Sequence, residues 1–264
     1  MSGAAPGFPR RRMLTVRITL ATFRQQVAAI TELARARASA YVCCVNAHMT
    51  VEARDPAFAC VVEDAHLATA DGMPVVYGLR LLHGVRQERV PGNDLMPALL
   101  HAAVENDLAV YLYGGAESTL DKVRERAGRE LPQLRIAGSW SPPFAPLDAM
   151  DFDAEAARIN ATGAQIVMVS LGCPKQEKWM AAMQGRVNAV MLGLGGAFLL
   201  YAGIDRRAPK WMRDLSLEWA YRLALEPRRL WKRYLVTNSI FLWMLLRAWW
   251  AGSGRSKGPV APQD

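Results

Sequence analysis

The chain is poor in the residues from which metal and disulfide sites are built, with four histidines and four cysteines in 264 residues. The cysteines are Cys43, Cys44, Cys60 and Cys173; they form no Cys-x-x-Cys pair, and no His-x-x-x-His spacing occurs. Neither a zinc site nor a disulfide framework is indicated, and thiols in a reducing compartment are the expectation. Of His48, His66, His83 and His101, only His48, just after a predicted strand end and near Asn46, is a site candidate. A P-loop is missing, and so is a complete G-x-G-x-x-G at a strand–helix turn, which argues against an ATPase or a classical dehydrogenase. The N-terminus carries Arg10, Arg11 and Arg12 and lacks the apolar core of a secretory signal, so the protein is expected to stay inside the cell.

Acidic residues become scarce toward the C-terminus. Residues 1–205 hold 20 Lys+Arg against 20 Asp+Glu, whereas 206–264 hold 12 against 4, so the whole net charge of +8 is C-terminal. Six of the eight tryptophans also lie at or beyond Trp211. A basic block of this kind suits phosphate-bearing partners. No base-reading motif accompanies it, and tryptophan beside an apolar helix points to lipid rather than nucleic acid. The stretch Leu235–Leu246 is apolar except for Thr237, Asn238 and Ser239. At about a dozen residues it falls short of the roughly 20 that a spanning helix needs. An interfacial helix fits it, with packing on its own domain or on another subunit as the alternative. The exposed apolar tail also suggests self-association into a homo-oligomer. The expected organisation is a mobile basic arm over 1–12, an α/β domain over 13–205, a helical basic and aromatic appendage over 206–250, and a flexible tail over 251–264.

Between these ends, helical and strand patterns alternate. Helical spacing over 22–38 precedes a strand at Tyr41–Val45; a helix at 49–63 leads to an apolar run at 65–70, and helices follow at 73–82 and 94–105. Strands are then predicted at 109–113, 134–137, 165–171 and 189–194, with helices at 118–131, 154–162 and 174–184. The alternation predicts a mostly parallel sheet with helices on both faces.

The segment from Thr69 to Leu95 gathers two carboxylates, Asp71 and Asp94, the turn glycines Gly72 and Gly92, and the arginines Arg86 and Arg89. Asp71 follows an apolar run and precedes a glycine and a helical pattern, which places it at a strand's carboxyl end, where open α/β sheets bind ligands. Asp71-Gly72 also reads as a simple turn, and Asp94 as a helix N-cap. Three glycine turns follow predicted strands: Gly114-Gly115, the run Gly172-Cys173-Pro174-Lys175-Gln176, and Gly193-Leu194-Gly195-Gly196. Each brings backbone N–H groups and a helix start to one place. Lys175 and Gln176 combine a cation with a neutral amide, a set suited to diphosphate and sugar hydroxyls together. Asp151 and Asp153 are spaced to hold a divalent cation, yet helix capping explains both acids as well.

Five motifs in one order carry a resemblance: Asn46-Ala47-His48, Ala70-Asp71-Gly72-Met73-Pro74, Glu88-Arg89-Val90-Pro91-Gly92-Asn93-Asp94-Leu95, Gly172-Cys173-Pro174-Lys175-Gln176-Glu177-Lys178-Trp179, and Gly193-Leu194-Gly195-Gly196. Over about residues 40–235 the chain resembles the WecG/TagA/CpsF family of bacterial glycosyltransferases. The resemblance implies a Rossmann-like α/β domain, a C-terminal appendage that associates with the membrane and helps complete the site, and transfer from a UDP-sugar to a polyprenyl-diphosphate-linked acceptor without a required metal. It implies Asp71 as catalytic base, Asn46 and Arg89 as active-site polar residues, and Gln176 as a sugar or diphosphate contact. Cys44 stands where the family often has threonine, and a thiol is the weaker hydrogen-bond partner.

The mechanism expected from this combination is inverting transfer, with Asp71 deprotonating an acceptor hydroxyl. Gly195, Gly196, Lys175, Arg222, Arg229 and Arg233 would stabilise the departing UDP at the cytoplasmic face of the inner membrane, with Cys44 and Asp94 beside the substrate. The rival readings are a metal-dependent glycosyltransferase of different architecture and a non-catalytic scaffold of a polysaccharide assembly complex.

Overall fold

Short strands that are apolar along their whole length build the centre of the molecule. The computed structural model describes residues 7–209, 211–212, 218–225 and 227–253. Its main sheet contains β3 (Ala40–Val45), β4 (Leu67–Ala70), β5 (Ala109–Gly114), β6 (Arg135–Trp140), β7 (Ile166–Ser170) and β8 (Val190–Gly193). All pairings are parallel, in the order β4-β3-β8-β7-β5-β6. Burial on both faces explains why β3, β5 and β8 read as continuous apolar runs instead of alternating ones, and the edge strand β6 is the one at least partly exposed along its whole length.

Alternate residues of each strand feed opposite layers. Tyr41, Cys43, Val45, Tyr113, Val169 and Met191 pack with α2 (Ala47–Glu52), α3 (Pro56–Glu63), α4 (Met73–His83), α7 (Phe152–Ala161) and α8 (Lys175–Met183). Val42, Cys44, Val110, Leu112, Met168 and Leu192 pack with α1 (Phe23–Arg35), α5 (Gly92–Glu105), α6 (Glu117–Glu130) and α9 (Ala197–Tyr201). The expected Rossmann-like α/β arrangement with helices on both faces is therefore present.

Residues Arg10–Arg12 depart from the expected mobile arm. They belong to β1 (Arg10–Met13), which pairs antiparallel with β2 (Val16–Thr19). The Arg10 guanidinium donates to the carbonyls of Glu63, Ala65 and His66 at 3.0, 2.5 and 2.7 Å, and Met13, Val16 and Ile18 are buried. Charge suggested an arm; apolar residues on the other side of the hairpin anchor it.

Beyond α9 come α10 (Glu218–Leu225) and α11 (Pro227–Ser253). No helix among the described residues is long and apolar enough to cross a membrane. The stretch Leu235–Leu246 divides between two environments. Ile240, Phe241, Met244 and Leu245 join the core layer that contains α2 and α4, and Phe241 is only 5% exposed. Gly78 of α4 makes room for Met13 of β1, with which a side chain there would collide, and lies within ordinary contact of Leu245. Leu235, Val236, Leu242, Trp243, Leu246, Trp249 and Trp250 face outward and are exposed.

Candidate active site

The carboxyl ends of β3, β4, β7 and β8 form one edge, and the candidate residues meet along it. Val45 pairs with Ala70, which sets Asn46 beside Asp71, and Cys43 pairs with Gly193, after which the chain turns toward β7. β8 lies between β3 and β7, so glycines from late in the chain stand beside polar residues from early in it. This is the crevice position at which a doubly wound sheet takes its ligands.

Asp71 is half-buried, and its backbone N–H donates to the carbonyl of Val45 at 2.9 Å. Asn46 Nδ2 donates to Asp71 Oδ2 at 3.3 Å, and the Gly92 N–H donates to Asp71 Oδ1 at the same distance. Asn46 also caps α2, its Oδ1 accepting from the Met49 N–H at 3.1 Å, so its amide is held at both ends. Gly72 caps α4 through its backbone alone and has no side chain to crowd the Asp71 carboxylate; a Cβ there would touch Asn46 at 3.5 Å. The Asp71-Gly72 turn and the site are thus the same feature.

The segment before α5 runs back along β4. The Val90 N–H donates to the Ala70 carbonyl at 2.8 Å, and Thr69 Oγ1 donates to the Val90 carbonyl at 2.8 Å. This pairing places Arg89 and Gly92 beside the end of β4. A Cβ on Gly92 would touch Leu194 and the Cys44 sulfur at 3.5 and 3.6 Å, which puts Cys44 in the floor beneath the Asp71 partner. Burial, then the charge of Asp71, raises the Cys44 thiol far above its ordinary value, so it stands there as a neutral group.

Three expectations change, those for Asp94, Gly195 and Lys175. Asp94 is not the N-cap of α5, a position taken by Pro91; it lies in the first turn and pairs with Arg207. The Gly195 N–H is not open to a diphosphate, because it donates to the Val169 carbonyl at 3.1 Å. Gly195 adopts φ +49, a conformation glycine takes at low cost, and its carbonyl accepts from the Ser170 hydroxyl at 3.0 Å. Lys175 donates to the Ala145 carbonyl at 2.5 Å and stands 5.8 Å from the Phe144 ring, so it anchors the loop after β6. Asp151 caps α7, accepting from the Ala154 N–H at 3.0 Å, and Asp153 pairs with Arg186. Among the described residues no group of three or more His, Cys, Asp and Glu side chains gathers. The side chains of Arg222, Arg229 and Arg233 lie outside the described residues.

Two residues were not legible as site members. Arg207 ties the segment after α9 to Asp94 at the cleft. Glu177 is wholly buried at the start of α8, accepting from Gln176 Nε2 at 2.7 Å, and Gln176 itself is 5% exposed. Burial pushes the Glu177 carboxyl from 4.5 up to about 7, against hydrogen bonds from Gln176, its own backbone and Cys173 that pull it down. A charged residue in a helix's first turn ordinarily marks a solvated face. The only hint was its place between Gln176 and Trp179, and Trp179 stacks on Tyr113 at 4.1 Å to draw this turn into the core.

Fold and candidate site together define an α/β protein of the doubly wound type with a carboxylate, Asp71, held at the carboxyl edge of its parallel sheet. The sequence profile of the Glycosyl transferase WecG/TagA/CpsF family matches residues 11–255. The chain belongs to that family. It is similar to the N-acetylglucosaminyldiphosphoundecaprenol N-acetyl-beta-D-mannosaminyltransferase of Bacillus subtilis (strain 168), at 35% identity over 176 residues. That alignment covers 66% of this chain and 66% of the relative's length.

Proposed function

We propose that the protein transfers a hexose-type sugar from a UDP-sugar to a sugar carried on a polyprenyl diphosphate, with inversion at the anomeric carbon. The observation that carries this reading is the half-buried Asp71 carboxylate at the strand edge, fixed by Asn46 and the Gly92 N–H. A general base acts only within hydrogen-bond reach of the proton it removes. The acceptor oxygen forms its bond to the anomeric carbon as its proton passes to Asp71, and the bond to the UDP oxygen breaks. Charge grows on the departing diphosphate, where preorganised donors and cations act most strongly. Arg89, the Gly196 turn and the appendage arginines Arg222, Arg229 and Arg233 are assigned to it, without a metal. The relative's name supports a lipid-diphosphate-linked N-acetylglucosamine as acceptor and makes N-acetylmannosamine the first donor to test.

The appendage is assigned to the membrane surface. The outward face of α11 carries Trp243, Trp249 and Trp250 among exposed aliphatic residues, beside a strongly basic segment. This combination favours the interface of an anionic leaflet, and a lipid-linked acceptor would then be met at the cytoplasmic face of the inner membrane. Packing of α11 on α2, the helix that Asn46 caps, supports a coupling between docking and the site.

The decisive experiment offers UDP-N-acetylmannosamine, UDP-glucose and their uronic acids to the full chain with a polyprenyl-diphosphate-linked N-acetylglucosamine. Product formation that survives EDTA is expected; transfer abolished by EDTA and restored by Mn²⁺ would overturn the metal-free reading, and no transfer from any donor would overturn the whole. Replacing Trp243, Trp249 and Trp250 together with serine leaves the inward face of α11 intact. It is expected to weaken binding to anionic vesicles by about 100-fold, at roughly 1 kcal/mol for each side chain withdrawn from the interface. Unchanged flotation with vesicles would refute the docking assignment.

A further inference from the structure

The first turn of α8 hides a polar pair that the transfer mechanism does not use. Gln176 and Glu177, residues of types that usually face water, are 5% and 0% exposed. They lie against the end of β8. A Cβ on Gly193 would come within 3.0 Å of Gln176 Nε2, and one on Gly195 within 3.4 Å of Gln176 Oε1, so the glycines make room for the amide. Gln176 Nε2 donates to Glu177 Oε1 at 2.7 Å. Gln176 Oε1 is left without a partner, and Glu177 Oε2 has none stronger than the thiol of Cys173. A buried carbonyl oxygen with no donor is uncommon enough in folded proteins to call for an explanation.

We propose that Glu177 is a positioning residue that turns the Gln176 carbonyl, and not its NH₂ group, toward the Gly195 side of the cleft, so that Gln176 reads a hydrogen-bond donor on the substrate. The inference rests on the transferase reading above and deepens it. An ionised carboxylate has only acceptor positions, so the amide must present its NH₂ to Glu177 and its oxygen to the opposite side. A sugar hydroxyl or an acetamido N–H can meet that oxygen. A diphosphate oxygen, itself an acceptor, is repelled there. Gln176 thus belongs to the sugar and not to the phosphates, a choice that the sequence left open.

An ionised Glu177 enforces this arrangement, whereas a protonated one keeps a carbonyl oxygen that accepts from Gln176 Nε2 but no longer forbids the reverse. A protonated Glu177 can donate its O–H to Gln176 Oε1, which frees the amide to reverse. The titratable groups around Glu177 are Cys43 from β3, Cys44 beside it and Cys173 from the turn before α8, with Glu52 of α2 beyond Cys173. Burial raises all three thiols, so they stay neutral through the neutral range. Burial also raises the carboxyl of Glu177 toward neutrality, which brings its own charge change within reach of ordinary conditions.

The test measures donor affinity by calorimetry, and kcat and KM for transfer, between pH 6 and 9. It uses the full-length wild type, Glu177→Gln and Glu177→Leu, with UDP-sugars and analogues lacking single hydroxyl or acetamido groups. For the wild type, one such analogue is expected to bind about 10- to 100-fold more weakly than its parent, the cost of leaving a buried acceptor unpaired. In Glu177→Leu that difference should disappear, with the loss in donor KM exceeding any loss in kcat. Glu177→Gln, whose amide oxygen can still accept from Gln176, should recover most of the discrimination at pH 8 and lack the wild type's weakening of donor binding on acidification through about pH 7. Discrimination retained in Glu177→Leu, or an unchanged acid limb in Glu177→Gln, would overturn the role of Glu177 alone. If Glu177→Leu does not fold, the acid limb of Glu177→Gln still decides. Failure of the wild type to bind any UDP-sugar would overturn this inference together with the transferase reading.

Discussion

Asp71→Asn is expected to lower the turnover of sugar transfer by about 10²- to 10⁴-fold, the range over which a positioned general base contributes, while donor affinity stays close to that of the wild type. Asparagine matches aspartate in size and keeps an oxygen for the Gly92 N–H, so the loop that returns along β4 should hold its place. What it cannot do is take a proton from an acceptor hydroxyl. It also turns an NH₂ group toward Asn46, replacing a hydrogen bond by two opposed donors unless one amide reverses. The measurement is single-turnover transfer to a lipid-linked acceptor at saturating donor, beside calorimetric binding of the donor. Near-normal turnover would remove Asp71 as the base. A loss of donor binding equal to the loss of rate would make it a binding residue instead.

Glu177→Gln is expected to stabilise the folded protein by about 3 kcal/mol at pH 8 relative to any difference seen at pH 4, because burial raises the Glu177 carboxyl from 4.5 to about 7. Burial raises this carboxyl, so the fold favours its neutral form. The stability tied to that form is complete below about pH 4.5, the ordinary value, and is lost as pH rises through about 7. Glutamine, neutral at every pH, does not lose it. Any cost from the extra NH₂ group of glutamine applies equally across the range, so the change with pH is the quantity to read from urea unfolding at pH 4, 6 and 8. Parallel curves at all three would show that Glu177 is not held against ionisation. A residue that weakens its own fold near neutrality is the kind retained for activity at the expense of stability.

The parts of this protein that the sequence makes legible are those in which a chemical type and a local pattern agree. Asp71 was readable because an apolar run before it and a glycine and helical pattern after it leave few other positions for a carboxylate. Asn46 stood in the same relation to β3. Arg10–Arg12 misled because charge suggests solvent, whereas the guanidinium of Arg10 finds three carbonyls and the hairpin's apolar residues find the core. Leu235–Leu246 was ambiguous because a nearly uniform apolar stretch carries no period from which to separate its faces. Packing on α2 and α4 divides Phe241 and Leu245 from Trp243 and Leu246. The partners of Glu177 and Asp94 were out of reach, since one depends on Trp179 pulling a helix turn inward and the other on Arg207, distant in sequence. Strand order was not encoded locally either.

That order has a bearing on how the protein is made. Among the described residues β8 is the last strand to leave the ribosome, yet it occupies the middle of the sheet, joined to β3 on one side and to β7 on the other. Until it arrives, the nascent chain holds two half-sheets with bare inner edges that have the pairing groups to stick to each other or to neighbouring chains. The same late insertion brings the turn after Gly193 to the strand edge that carries Asn46 and Asp71, so a chain that stops before β8 lacks the strand that joins β3 to β7.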